Sequence, residues 1–398
     1  MKRIKDLAKK HFPYALEDRH YLHQHPELSG KEQNTAHYIV QTLNELHIPY
    51  KKDVAGYGIV ALLNGDLAGN HCVALRADMD ALPIQEISNK EYCSQVSGVM
   101  HACGHDVHVA CLLGVLRMLN EIKHTFGGTI KAIFQPSEEV YDGGAPFMID
   151  AGVLENPKVE LIFAQHVTHG MECGKIGLCE GAFMASTDEI HIHIHGKGGH
   201  AALENEVINP ILMGMELISQ LTNYHTLNRS SPHNSVLAFG KFIAAGETNI
   251  IPNSAVIAGT LRTFNEKWRA TMLITIKQIA TMIEEKFGGE IAISIKNGYP
   301  VLVNEPTTTH RVKQYATDFL GVENVLEIPP RMTAEDFAYF LQQKPGTFIR
   351  LGVSNIAKNI TATTHSNTFD IDESAIETGM GLMSYIALKE LGLLQNVN

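Results

Sequence analysis

The chain has 398 residues, of which 44% are hydrophobic and 19% charged, the balance of a globular protein and not of a disordered one. That length exceeds the size at which single cores usually stop growing, so two domains are expected, one inserted into the other. With 32 Lys+Arg against 43 Asp+Glu the formal charge is −11, which argues against nucleic acid as a partner, and no run approaches the ~18 apolar residues of a spanning helix, which argues against a membrane.

Residues 1–19 carry basic side chains without a following apolar core or small-residue cleavage site, so a cytoplasmic location is expected. Strands are predicted at 58–63 and 71–77, a helix at 107–120, and further strands at 128–135 and 159–165. Such alternation predicts an α/β sheet with helices on both faces. The pattern changes near Ser186. A strand at 187–196, a helix at 206–226, strands at 235–243 and 255–263, a helix at 268–287 and a strand at 290–296 give the order βαββαβ, the ferredoxin-like arrangement. After Pro300 the first pattern resumes, with a strand at 346–352 and a closing helix at 374–391. The expected organisation is therefore a large domain of residues 1–185 and 303–398 with residues 186–302 inserted, Gly or Pro marking both junctions as a hinge would.

Six cysteines spread along so long a chain argue against a disulfide framework. Cys72 and Cys111, inside apolar runs, read as core thiols. His191, His193 and His195 alternate on one strand and read as an ordinary sheet face.

Ligands of open α/β sheets sit at the carboxyl ends of the strands. There the sequence places Asp78-Met79-Asp80, Pro136-Ser137-Glu138-Glu139, His166, and a loop reaching His365. Between the first two lies His101-Ala102-Cys103-Gly104-His105-Asp106, with Asp106 placed to cap the helix that follows. Any one of these has an ordinary reading as a turn residue, a core histidine or a solvated loop. Together, Cys103 and His105 with a carboxylate and two imidazoles make a five-donor set suited to metal. Adjacent carboxylates can then divide the labour, one as ligand and its neighbour as proton carrier, which is the logic of metal-assisted hydrolysis.

The motifs LHQHPELSG (22–30), RADMDALPI (76–84), MHACGHDVH (100–108), FQPSEE (134–139), GKGGHAA (196–202), GTLRTF (259–264), MTAEDF (332–337) and HSNTFDIDE (365–373) resemble those of a known family. It comprises the metal-dependent amidohydrolases that include hippurate hydrolase, N-acetyldiaminopimelate deacetylase and the plant auxin-conjugate hydrolases, within the larger aminoacylase and carboxypeptidase superfamily. The resemblance runs nearly end to end, and MHACGHD is its most specific part. It implies a mixed-sheet, metallopeptidase-like catalytic domain whose inserted domain serves as lid and dimerisation domain, and hence a homodimer. It also implies that Cys103, His105, Glu139, His166 and His365 bind two divalent metal ions, that Glu138 is the general base, and that Asp80 orients a metal-binding histidine. His200 resembles the histidine that reaches the partner subunit's site and stabilises the oxyanion, while Asn249 and Arg262 resemble the groups that hold the substrate's carboxylate. The implied reaction is deacylation of a small N-acylated amino acid.

Ser137 and Asn367 stand where many relatives have alanine and proline, and residues 168–173 follow no family pattern, departures that fall near the substrate and not on the metal ligands. Three other readings stay open at this stage. The same centre could cleave peptide bonds, as an aminopeptidase, dipeptidase or carboxypeptidase; Cys103 with His105 could form a cysteine-nucleophile hydrolase; or the chain could be a non-catalytic, zinc-stabilised binding protein. A mixed S, N, O set accepts zinc, manganese, nickel or cobalt, so the sequence leaves the metal open.

Overall fold

The computed structural model describes residues 1–230 and 234–395. The chain separates into two compact units, the first comprising Met1–Gly181, Val303–Pro329 and the stretch from Asp336 onward, the second Ala182–Leu302 and Pro330–Glu335.

In chain order the first unit carries α1 (Lys2–Gln24), α2 (Gln33–Glu45), β1 (Tyr50–Val54), β2 (Gly58–Asn64), β3 (Leu67–Asp78), α3 (His105–Glu121), β4 (Gly127–Gln135), α4 (Ala145–Asp150), β5 (Leu161–Glu172) and β6 (Ile176–Leu178). The short β7 (Gly181–Met184) leads into the second unit, with β8 (Ser186–His195), β9 (Gly199–His200), α5 (Pro210–Asn228), β10 (Ser235–Ile243), β11 (Ile250–Ile251), β12 (Ser254–Thr263), α6 (Glu266–Phe287) and β13 (Glu290–Asn297). The chain then passes through β14 (Leu302–Asn304) and ends with α7 (Pro306–Leu320), β15 (Val325–Glu327), α8 (Phe337–Gln343), β16 (Gly346–Ser354) and α9 (Ser374–Gln395).

The first unit is built on an eight-stranded mixed sheet of order β1-β2-β4-β3-β5-β16-β6-β15. Its four central strands, β4, β3, β5 and β16, are parallel, so their carboxyl ends share one edge. Those strands are buried on both faces, as parallel sheets require. On one face Val73, Leu75, Ala77, Ile130, Phe134, Phe163, Ile349 and Leu351 join a single apolar core with α1, α3, α7 and α9. The alternate residues face the other way, where Phe337 of α8 stacks on Phe348 with ring centroids 5.5 Å apart. Each fully buried Val, Leu, Ile or Phe side chain among them contributes roughly 1.5–3 kcal/mol. α3 is central: His105 through Leu116 are all buried, and the helix packs against α1 and α9.

The second unit has the element order β8-α5-β10-β12-α6-β13 and an antiparallel sheet of order β10-β12-β8-β13. Ile190, Ile192 and Ile194 of β8 face the core formed with Met213 and Leu217 of α5 and Met272 and Ile276 of α6. His191, His193 and His195 therefore share the opposite face, where the last two are exposed. Asn209 and Asn265 cap α5 and α6 by accepting amide hydrogens from the first turn.

Two sequence expectations need correction. His166 does not follow β5 but lies within it, because β5 runs on to Glu172 in continued pairing with β16. Asp106 does not cap α3: the residue before the helix is Gly104, in the left-handed region at φ 88°, and Asp106 instead pairs with Arg19 and His23 of α1. A charged partner outcompetes the helix's own amides.

Candidate metal centre

β3 and β4 pair Asp78 with Gln135, while β3 and β5 pair Arg76 with Ala164. Continuing that register brings Asp78 level with His166, which β16 pairs with Arg350. The residues just beyond this row, Asp80 and Glu138-Glu139, are thereby delivered to one place. Cys103, Gly104 and His105 enter from the start of α3. Gly104 cannot carry a side chain, since a Cβ there would lie 2.5 Å from Val167 Cγ2, and its left-handed turn aims Cys103 and His105 at the same site.

The first unit brings seven of the ten sequence-predicted site residues together. Ligand atoms lie within 4.8 Å of one another in each of three overlapping sets: Cys103, His105 and His166; Cys103, Glu139 and His365; and His105, Glu138 and Glu139. Cys103 belongs to the first two, so it stands between two neighbouring clusters. His105 Nδ1 donates to Asp80 Oδ1 at 3.2 Å, which leaves Nε2 facing Glu139 Oε1 at 3.9 Å. His166 Nδ1 donates to the Val167 carbonyl at 2.7 Å, leaving Nε2 directed at Cys103 Sγ, 3.4 Å away. His365, at φ 63°, is anchored by its amide to the Ala102 carbonyl and holds Nε2 3.5 Å from Glu139 Oε1.

Electrostatics favour a cation here. Burial would lower the pKa of His105, yet Asp78, Asp80 and Glu139 raise it to about 10. Burial and the charges of Glu139 and Glu138 push the Cys103 thiol well above its ordinary value. Burial, Arg350 and His108 hold His166 well below the usual histidine range, so it is a neutral donor. Among the described residues, His105 Nε2 is buried without a hydrogen-bond partner, a rare condition for a polar atom. Mixed S, N and O donors with surplus carboxylate charge fit divalent transition ions.

His200, Asn249 and Arg262 lie in the second unit. β9 and β11 pair His200 with Ile250, next to Asn249, whose carbonyl accepts the Ala201 amide. His200 is exposed, and its Nδ1 accepts the Ala202 amide at 3.1 Å. In the neutral ring the proton is then on Nε2. Arg262 is half-buried and donates to the Met332 carbonyl at 2.9 Å. Burial lowers its pKa, and among the described residues no carboxylate pairs with it.

Sequence reasoning missed the residues behind the ligands. His108 Nδ1 donates to Asp78 Oδ1 at 2.5 Å while its Nε2 accepts the Val167 amide at 3.0 Å, tying the end of β3 to the residue beside His166. Arg76 pairs with both Asp78 and Asp336. Arg19, buried in α1, forms ion pairs with Asp106, Asp370 and Glu373 and so clamps the start of α3 to the loop after His365. The available signal was the polar residues left over in matched motifs: His23, Asp78, Asp106 and His108.

The model of peptidase family M20/M25/M40 matches residues 74–389. The chain is 37% identical to the putative amidohydrolase YhaA of Bacillus subtilis over 95% of its own length and 94% of the relative's. It is 35% identical to the IAA-amino acid hydrolase ILR1-like 4 of Arabidopsis thaliana, over 97% and 88% of the two chains. Among solved structures it is similar to the Bacillus subtilis YXEP protein, described as a dinuclear metal binding peptidase of the M20 family, with a TM-score of 0.83, 31% identity and coverage of 96% and 99%. The chain belongs to peptidase family M20/M25/M40 and is a metal-dependent amidohydrolase.

Proposed function

We propose that the protein deacylates N-acylated amino acids, using two divalent ions (zinc, manganese, nickel or cobalt) held by Cys103, His105, Glu139, His166 and His365. The convergence of these five side chains on two clusters that share Cys103 carries this reading. Bound there, the ions would polarise the scissile carbonyl and acidify the attacking water. Glu138 takes that water's proton as its oxygen bonds to the carbonyl carbon. It then gives the proton to the nitrogen as the C–N bond breaks, releasing a carboxylic acid and a free amino acid. Asp80 fixes the His105 ring so that Nε2 serves as ligand.

The ferredoxin-like order of the second unit supports the assignment of residues 186–302 as a lid and dimerisation domain inserted into a catalytic domain of residues 1–185 and 303–398, although Ala182–Ala185 and Pro330–Glu335 pack with the inserted unit. Its exposed His200, with the proton on Nε2, is suited to donate to the oxyanion in the partner subunit's site. Arg262, which pairs with no carboxylate among the described residues, and Asn249 hold the substrate's carboxylate. A cytoplasmic homodimer is the assembly this reading requires.

The deciding experiment is a panel of N-acetyl, N-benzoyl and indole-acetyl amino acids, with dipeptides as controls, after reconstitution with each metal. The acylated amino acids should be cleaved at least ~10-fold faster in kcat/KM than any dipeptide, the size of preference that one altered pocket contact can give. A preference for dipeptides would replace this reading with a peptidase. Arg262→Ala should raise KM chiefly for substrates with a free carboxylate.

Trans action by His200 has its own test. His200→Ala and Glu138→Gln chains should each be nearly inactive alone, while mixed dimers recover activity through the one site whose base and donor are both intact. Mixtures as inactive as their parents, once subunit exchange is verified, would restrict His200 to its own subunit or to no catalytic role.

A further inference from the structure

The loop that carries Glu138 is held from a direction the mechanism does not use. Ser137, the residue before it, sits at φ 61°, in the left-handed region that a non-glycine residue adopts only when its surroundings enforce it. Its amide donates to Glu32 Oε1 at 2.8 Å and its hydroxyl to the same oxygen at 3.3 Å. Two residues on, the Glu139 amide donates to Asp80 Oδ2 at 2.9 Å. Glu138 is thus flanked on both sides by amides bound to buried carboxylates.

Both carboxylates depend on the segment that follows α1. Ser29 donates to Asp80 Oδ2 at 2.6 Å, and the Ala81 amide donates to the Glu27 carbonyl at 2.8 Å. Glu32 is wholly buried, a costly placement for a carboxylate unless it has work to do. Helix capping is not that work. Glu32 precedes α2 but its side chain makes no cap hydrogen bond; Glu27 accepts the Thr35 amide and hydroxyl and the Asn34 amide group instead. On the far side the loop is closed by backbone, since a Cβ at Gly144 would lie 1.8 Å from the Pro136 carbonyl oxygen.

We propose that Glu32 is a positioning residue for the reaction: by binding the Ser137 amide and hydroxyl it locks the left-handed bend that aims the Glu138 carboxylate. It touches neither substrate nor ligand. The inference rests on Glu138 being the base, and it adds the residue that sets that base's geometry.

Glu32→Ala should lower kcat ~10–100-fold, the scale expected when a catalytic group is displaced by about 1 Å, while KM stays within about twofold. Metal content should stay at the parental level, and amide exchange at residue 137 should accelerate at least ~10-fold as its hydrogen bond opens. Glu32→Gln retains an acceptor oxygen and should stay within about threefold of the parent, because a neutral acceptor still binds the amide. A glycine adopts φ 61° without strain. Ser137→Gly placed in the Glu32→Ala background should therefore restore part of kcat, a recovery that a general folding defect would not show.

Unchanged kcat in Glu32→Ala would overturn the proposal. So would a loss that follows metal content or melting temperature, a Glu32→Ala chain that does not fold while Glu32→Gln does, or no recovery on adding Ser137→Gly. If Glu138→Gln proved active while exchange at residue 137 rose as expected, the base assignment would fall and the bond to Ser137 would stand, so the two failures are distinguishable.

Discussion

Glu138→Gln should retain its metal and its affinity for substrate and turn over on the order of 10²–10⁴ times more slowly, the usual worth of a positioned general base. Glu138 is almost fully buried and has ligand-type atoms within 4.8 Å of those of His105 and Glu139. The amide keeps the side chain's size and its place in that packing, but it cannot take a proton from water or return one to the leaving nitrogen. The loss should therefore appear in kcat with KM nearly constant. Steady-state kinetics on an N-acyl amino acid, with metal content measured on the same preparation, checks this. Turnover within a few-fold of the parent would remove Glu138 from the chemistry and direct attention to another proton carrier.

The parts of this molecule that were legible in the sequence are those with a local period or a local motif. Alternation of Ile190, Ile192 and Ile194 with three histidines identified β8 and its two faces. Apolar runs flanked by turn residues placed β2, β4 and β16 of the large sheet within two residues, while β5 runs seven residues past its expected end. The five donors were legible because their residue types cluster in short motifs that end strands. One margin of the sheet was not: β6 and the edge strand β15 beside it have three residues each and carry no periodic signal. α1 carries a weaker local signal, since Pro13 lies inside it and Arg19 is buried among Leu7, Ala8, Ala15 and Leu22 on its inner stripe.

Long-range polar pairing explains the remaining gap. Arg19 meets Asp370 and Glu373 about 350 positions away, and Glu32 meets Ser137 across about 100. No spacing rule relates such positions; they meet only once the sheet has placed its strand ends. Asp106 shows the resulting error. Its position next to a helix start suggested a cap, but a buried guanidinium and an imidazole offered stronger partners than backbone amides.

His105→Ala and Cys103→Ala should each lose metal and, with it, at least ~10³ of the rate, since the carbonyl and the attacking water would both lose their cationic partner. Cys103 stands in both clusters that share it, so its loss cannot be confined to one ion, whereas His105 stands in one of the two and is also grouped with Glu138 and Glu139. The metal-free protein should bind ions more weakly as pH falls. Burial and the carboxylates Glu139 and Glu138 keep the Cys103 thiol protonated at neutral pH, and Asp78, Asp80 and Glu139 keep His105 protonated up to about 10. Both protons must leave for S and N to bind a cation, so lowering pH favours the competing proton and raising pH favours the metal. Metal content after equilibrium dialysis at a series of pH values reads this directly, and Cys103→Ala should flatten the curve. Dialysis against a chelator should abolish activity in the parent, and zinc, manganese, cobalt or nickel should restore it. An enzyme that keeps its rate after chelation but loses it to thiol alkylation would make Cys103 a nucleophile and not a ligand. Protection of Cys103 from alkylation by added metal, lost in His105→Ala, would place the thiolate on the ion.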